Sequence, residues 1–180
     1  MEGITNAEKQ YFLELVKDID EKTLMEVLGV EEKCFPESMQ SDEEDLKETL
    51  DNKKGIQIIV KDENGSVVSY LSSLPLEDTF EDLEDYDNEL KLEKGILYIE
   101  SIAIIPESRN VHIFSKILNL VKQEATKRGF KKVSAHVRVS NGLSNILQKM
   151  GAQKMRTIED WHNFNEPFDY LEIEINKSRN

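Results

Sequence analysis

Glu100 is the one charged residue in the run Gly95-Ile-Leu-Tyr-Ile-Glu-Ser-Ile-Ala-Ile-Ile105. A carboxylate buried among apolar neighbours loses hydration, so its pKa rises toward neutrality, where it can take up a proton. The alternative is a solvated or ion-paired residue on the outer face of the strand. Tyr98 lies two residues back, on the same face of a strand, where it can line a site, relay a proton or simply pack. Pro106-Glu107-Ser108-Arg109 then breaks the run. From Asn110 to Arg128, the residues Val111, Phe114, Ile117, Leu118, Val121 and Ala125 recur at helical period, and Gly129 stops the helix. A strand ending on a turn whose next amides open a helix makes a donor-rich pocket suited to phosphate. That order is a nucleotide-cofactor layout.

Other reactive side chains are sparse. Cys34 is the only cysteine, which excludes an internal disulfide or a cysteine metal cluster, and a free thiol of this kind is usually a buried packing group. His112, His136 and His162 are widely spaced and show no ligand pairing, so no metal site is expected. The net charge of −13 argues against nucleic acid as a partner. It permits a cationic one, although acidity can also serve only solubility. No apolar run reaches the ~20 residues that cross a bilayer, and the N-terminus lacks the order of a signal peptide. A cytoplasmic protein without membrane contact is expected, with residues 1–180 forming a single domain.

The elements that must position these residues follow from pattern. Tyr11, Phe12, Leu15, Val16 and Ile19 suit a helical face, while Gln10 to Val16 also suits a strand. Glu21 to Phe35 reads as a helix. Ser41 and Glu44 form a capping box opening a short helix to about Leu50. Ile56–Lys61 and Val67–Leu74 flank Asn64-Gly65 as a hairpin. Glu77 to Glu93 is an acidic connector with nine carboxylates against one lysine, Lys91. Lys131 to Val139 alternates, with Val133, Ala135, Val137 and Val139 on one face and Ser134, His136 and Arg138 on the other. Gly142–Met150 is a short helix closed by Gly151. Lys154–Asp160 and Phe168–Ile175 are strands joined by a loop from Trp161 to Pro167.

This order resembles the GNAT superfamily of acyl-CoA-dependent N-acyltransferases. Cys34-Phe35-Pro36-Glu37 resembles that family's first helix end, and Gly65-Ser66-Val67-Val68-Ser69-Tyr70-Leu71 its hairpin. Tyr98 to Arg109 resembles its fourth strand and the entry to its cofactor loop. The resemblance implies an α/β (α+β) fold with a mixed, largely antiparallel sheet of six to seven strands, a splayed central pair and helices on both faces. It makes Gln10–Val16 the first strand. It also implies that acetyl-CoA lies against the backbone of Ile102, Ala103 and Ile104, with its pyrophosphate on Arg109, Asn110, Val111, His112, Ile113 and Phe114. Asn141 and Ser144 would touch the cofactor arm or cap their helix. Glu100 becomes the candidate catalytic base, and Tyr98 its neighbour in the catalytic site.

Two positions depart from the family pattern. The small residues of its loop correspond to His112 and Phe114, where glycine would let backbone approach phosphate closely. Aligned on Gly151, the family's tyrosine acid corresponds to Leu147, which cannot donate a proton. The expected function is transfer of an acetyl group to the primary amine of a cationic acceptor, either a polyamine, an aminoglycoside or a lysine-bearing protein. Asp82, Glu84, Asp85 and Asp87 in the connector would attract it. Trp161, His162 and Phe164 would add an aromatic wall or a homodimer contact. The alternative is a catalytically degenerate GNAT-fold module binding partners through its acidic surface.

Overall fold

A computed structural model describes residues 9–109 and 111–175; of Val111 only the backbone is described. Among the described residues, seven strands form one open sheet in the order β1-β2-β3-β4-β5-β7-β6. They are β1 Tyr11–Leu15, β2 Ile58–Asp62, β3 Val67–Pro75, β4 Ile96–Ile104, β5 Lys132–Arg138, β6 Gln153–Ile158 and β7 Phe168–Glu174. The helices are α1 Glu21–Cys34, α2 Glu43–Asp51, α3 Leu76–Glu84, α4 Val111–Lys127 and α5 Leu143–Lys149. Every strand pair is antiparallel except β4–β5. The mixed, largely antiparallel sheet expected from the sequence is therefore present.

Helices cover both faces. Leu97, Ile113, Ile117, Val121 and Val133 pack together on the α4 side, whereas Leu24, Val27, Val30, Leu46, Leu50 and Tyr70 pack together on the α1–α2 side. Burial of these aliphatic surfaces, each side chain contributing about 2 kcal/mol, holds the layers on the sheet. At the N-terminus the strand wins over the helix, because Tyr11 to Leu15 completes a ladder with β2. The start of α2 differs from the expected capping box. Asp42, not Ser41, accepts from the amide three residues on, that of Asp45 (2.9 Å). Ser41 N–H is instead drawn to Glu31 Oε2 (2.9 Å), which shifts the cap by one residue.

Between β4 and β5 only three parallel pairs form, Ile96 with Lys132, Leu97 with Val133 and Tyr98 with Ser134. Beyond them the strands part. The β3–β4 ladder also slips where Ser72 faces Ser101 but Ser73 faces Ile99, leaving Glu100 as an extra residue in a β-bulge. At the same point of β3 the chain is tight. A Cβ on Gly55 would overlap the Ser73 carbonyl oxygen. Gly55→Ala is expected to lower stability by about 3 kcal/mol, read as the shift in the urea-unfolding midpoint.

Candidate active site

The bulge decides which β4 side chains share a face. Leu97 and Ile99 pack on the α4 side and Tyr98 on the opposite one. Strict alternation would then send Ser101 toward α4. Instead Ser101 Oγ meets Tyr70 Oη at 2.8 Å on the α1 side, and Ile102 and Ile104 return to the α4 cluster. Glu100 and Ser101 therefore sit side by side on the face covered by α1, α2 and α3, where the strands begin to part.

Glu100 is reached by solvent but walled by protein. Burial raises its carboxyl above the ordinary value, Thr49 and Thr79 hydroxyls oppose that shift, and the Asp82 charge adds to it. Thr79 Oγ1 donates to Glu100 Oε1 at 3.5 Å. Thr49 of α2 and Thr79 of α3 flank it, and Asp82 of α3 also acts on His162 in the segment between β6 and β7. There His162 stacks on Tyr86 at 3.7 Å between ring centres and on Phe164 at 5.7 Å. Burial lowers the His162 pKa against the opposing pull of Asp82, so the ring is neutral near pH 7. His162, Asn163 and Asn165 all hold positive φ, at 51°, 60° and 55°. Such left-handed geometry in non-glycine residues is held in place only by surrounding structure. Two shallow hollows, one beside Lys22, Asn64 and Ile105 and one beside Glu14, Asp18 and Thr23, lie apart from Glu100.

Tyr98 is withdrawn from this cleft. It is 4% exposed and packs with Leu76, Leu83, Trp161 and Tyr170. Its hydroxyl meets His136 Nδ1 at 2.9 Å, and His136 Nε2 meets Asp87 Oδ2 at 3.0 Å. Arg156 closes the cluster by bidentate contact with Asp87, Nε to Oδ1 at 2.8 Å and Nη2 to Oδ2. Burial pulls the Asp87 carboxyl upward, but the bonds from His136 and Arg156 outweigh it and hold the pKa at about 2. Asp87 is thus an anion, so His136 carries its proton on Nε2 and accepts from Tyr98 at Nδ1. Burial raises the Tyr98 phenol far above its ordinary value, with the Glu100 charge adding to it. Tyr98 is a buried structural hydroxyl in this arrangement, not a group facing the acceptor.

The connector also differs from the expected run of solvated acids. It begins as helix α3, whose Leu76, Thr79 and Leu83 face inward. Asp82, Glu84 and Asp85 are exposed, but Asp87 is 3% exposed and paired internally, so it is removed from the acceptor-attracting set. Trp161 is likewise buried at 6%, stacked on His136 at 3.9 Å, so it is withdrawn from the aromatic wall expected with His162 and Phe164.

The gap between β4 and β5 offers a free strand edge. Ile105 N–H donates to Val68 O, and Ile104 faces Ser69. In an antiparallel ladder this turns the amide groups of Ile104, and by alternation those of Ile102, away from β3 and into the gap. Ala103 differs from that expectation, since its backbone groups point to β3. Arg109 donates from Nε to Ile104 O at 2.9 Å, and its charge opposes the rise that burial gives the Cys34 thiol. Its head is turned back on the strand end instead of out over the start of α4. His112 is exposed, Ile113 is 1% exposed, and Phe114 packs against Leu118, Val137 and Leu147. Phe114 therefore points to the core beside α5. Asn110 lies outside the described residues.

At α5, Asn141 Oδ1 accepts from Leu143 N–H at 3.0 Å, an Asx turn, while Gly142 is the residue before the helix. Ser144 is 3% exposed, and its hydroxyl donates to Asp169 at 2.6 Å. Both side chains are therefore engaged locally, and the capping reading of Asn141 fits better than a cofactor contact. Leu147 is 8% exposed.

Residues 23–152 match the model of the acetyltransferase (GNAT) family. The chain belongs to the GNAT family. GNAT structures of low sequence identity align with nearly its whole length. The ribosomal-protein-S18-alanine N-acetyltransferase of Escherichia coli is 12% identical with a TM-score of 0.69, over 94% of this chain and 96% of that one. NAA60 of Arabidopsis thaliana, solved with acetyl-CoA, is 11% identical with a TM-score of 0.72, over 93% and 99%. Arabidopsis thaliana Naa50, solved with a bisubstrate analogue of CoA and a peptide, is 17% identical with a TM-score of 0.66, over 90% and 97%. These likenesses carry the fold. No curated protein matches the chain at significant similarity.

The Asp87–His136–Arg156 cluster escapes the sequence reading because its members lie on a connector and two strands far apart in the chain. His136 on the polar face of an alternating strand was the available signal. Among the described residues no helix is long and apolar enough to cross a membrane, and no group of three or more His, Cys, Asp and Glu side chains is placed to hold a metal.

Proposed function

We propose that this GNAT protein acetylates a primary amine on a cationic acceptor, with acetyl-CoA as donor and Glu100 as base. The observation carrying this reading is Glu100 itself, a solvent-reached carboxylate with a raised pKa at the point where β4 leaves β5. The amide groups of Ile102 and the N–H of Ile104, turned from β3 into the gap, fit an extended amide-bearing arm such as pantetheine, while the Ile104 carbonyl is held by Arg109. The acceptor arrives as an ammonium, whose ordinary pKa is about 10.4, and must lose a proton before it can attack. Glu100, directly or through water, takes that proton. The neutral amine then attacks the thioester carbonyl carbon; the C–N bond forms and the C–S bond breaks. One of the two remaining amine protons goes to the departing thiolate and the other stays on nitrogen, giving the acetamide and free thiol. A thiolate with an ordinary pKa of about 8.5 leaves without an enzymic acid, which suits Leu147. Asp82 beside Glu100 and the exposed acids of α3 favour a cationic acceptor and oppose an acidic one.

The departures at His112, Phe114 and Leu147, with Arg109 folded back on Ile104, favour a second reading. In it the chain is a binding module whose cofactor site has closed. Titration with acetyl-CoA separates the two. The enzyme reading expects saturable binding and a Tm that rises with ligand, by about 2.7 kcal/mol of added stability at a hundredfold excess over Kd. Thiol release with spermidine, an aminoglycoside or a lysine-rich peptide then follows, with little from glutamate. An absence of binding up to millimolar acetyl-CoA would rule out the enzyme reading.

A further inference from the structure

Glu31 is a carboxylate 1% exposed in α1, with no cation among its described hydrogen-bond partners. Its Oε2 accepts from Ser41 N–H at 2.9 Å, and its Oε1 accepts from Tyr70 Oη–H. Tyr70 is 0% exposed, and its oxygen lies 2.8 Å from Ser101 Oγ. Ser101, half-buried, stands beside Glu100 because of the bulge. A buried carboxylate needs donors, and each link has one proton to give, so the order fixes direction. Tyr70 donates to Glu31, which leaves the Tyr70 oxygen to accept from Ser101. With its own proton directed inward, Ser101 turns lone pairs outward.

We propose that Ser101 is an acceptor-positioning residue of the active site, its hydroxyl held by Tyr70 and Glu31 to receive an N–H of the substrate amine beside Glu100. This deepens the acetyltransferase reading and rests on it. An amine that has given up its proton through water and keeps one N–H on Ser101 and another on Glu100 has its lone pair aimed away from β4, toward the gap where the thioester would lie. Two neighbouring acceptors also favour a primary amine over a tertiary one, which lacks the N–H groups to satisfy both. Ser101 touches the substrate; Tyr70 and Glu31 act through it. The same carboxylate holds Ser41 N–H at the loop before α2, so the loop and the amine site share one anchor.

Glu31→Gln tests the direction of the chain. Ser41 N–H still demands an oxygen, so the glutamine amide nitrogen must face Tyr70. Tyr70 then accepts from that nitrogen and donates to Ser101, which donates outward and repels the amine. Wild-type protein, Ser101→Ala, Ser101→Thr and Glu31→Gln are compared for kcat/KM with the best of spermidine, an aminoglycoside and a lysine-rich peptide, and for acetyl-CoA Kd. Loss of a hydrogen bond to a charged or developing ammonium predicts a fall of about ten- to a hundredfold in Ser101→Ala. Glu31→Gln falls at least as far, Ser101→Thr recovers most of the rate, and acetyl-CoA Kd holds in all. A merely structural serine would not be rescued by its hydroxyl alone while ligand binding stays constant. Full activity of Ser101→Ala in the presence of an active wild type overturns the proposal alone. A wild type that binds acetyl-CoA but acetylates none of the amines overturns the acetyltransferase reading, and the proposal with it.

Discussion

Glu100→Gln lowers kcat/KM for the amine by about a hundredfold or more and leaves acetyl-CoA affinity unchanged. In the proposed mechanism the carboxylate takes the proton that blocks attack, whereas the isosteric amide cannot. In the wild type the acidic limb of the kcat/KM profile lies above the ordinary carboxylate value of 4.5, because burial, with Asp82 adding to it, raises Glu100. The limb rises with pH, since the base works only when deprotonated. Stability moves the other way. A carboxyl whose folded pKa is raised binds its proton more tightly folded than unfolded, so its ionised form works against folding above the unfolded pKa. Glu100→Gln is therefore expected to melt no lower, and somewhat higher, than wild type near neutral pH. Opposite movements of rate and Tm are what a residue kept for chemistry shows. A variant with undiminished turnover would remove Glu100 from the mechanism.

The second large effect concerns stability. Asp87→Ala leaves His136 and Arg156 without their shared anion at a buried site, where breaking such a pair costs about 3 kcal/mol or more. For a chain of this length Tm falls by roughly 10 °C. Asp87 titrates at about 2 against an ordinary 3.8. A depressed carboxyl stabilises the fold above the unfolded value and loses that contribution as pH falls through the folded one, so this part of the acid loss runs from about pH 4 down to pH 2. Burial lowers His136 below its ordinary 6.5, outweighing the Asp87 attraction. A neutral folded imidazole likewise favours folding above the unfolded value and loses that advantage as pH falls below it. Thermal unfolding of both proteins from pH 7 to pH 2 measures both effects. An unchanged Tm in Asp87→Ala would mean that the cluster is not what fastens the connector, β5 and β6 together.

The cluster shows how differently one residue reads alone and folded. Asp87 looks like one more surface acid in a run of nine. Helix α3 turns Leu76, Thr79 and Leu83 inward, and the chain after it delivers Asp87 to two strands from the other half of the sequence. Phe114 is similar: in the sequence it stands only as a bulky residue at a small position of the family's loop, and packing with Leu118 and Leu147 turns it to the core.

By itself the sequence carried the periodicity of most strands and helices, the motifs whose resemblance pointed to the GNAT family, and the place of Glu100 as the one charge in an apolar run. Those properties are written in local periodicity and turn chemistry, each satisfied within a few residues of chain. Tertiary structure alone decided the bulge at Glu100, the burial of Tyr98, the Asp87–His136–Arg156 cluster and the chain from Glu31 through Tyr70 to Ser101. A bulge is a mismatch between two strands, and a buried polar network is a mutual satisfaction of distant groups. Neither exists until the sheet has assembled and water has left the groups that must then find one another.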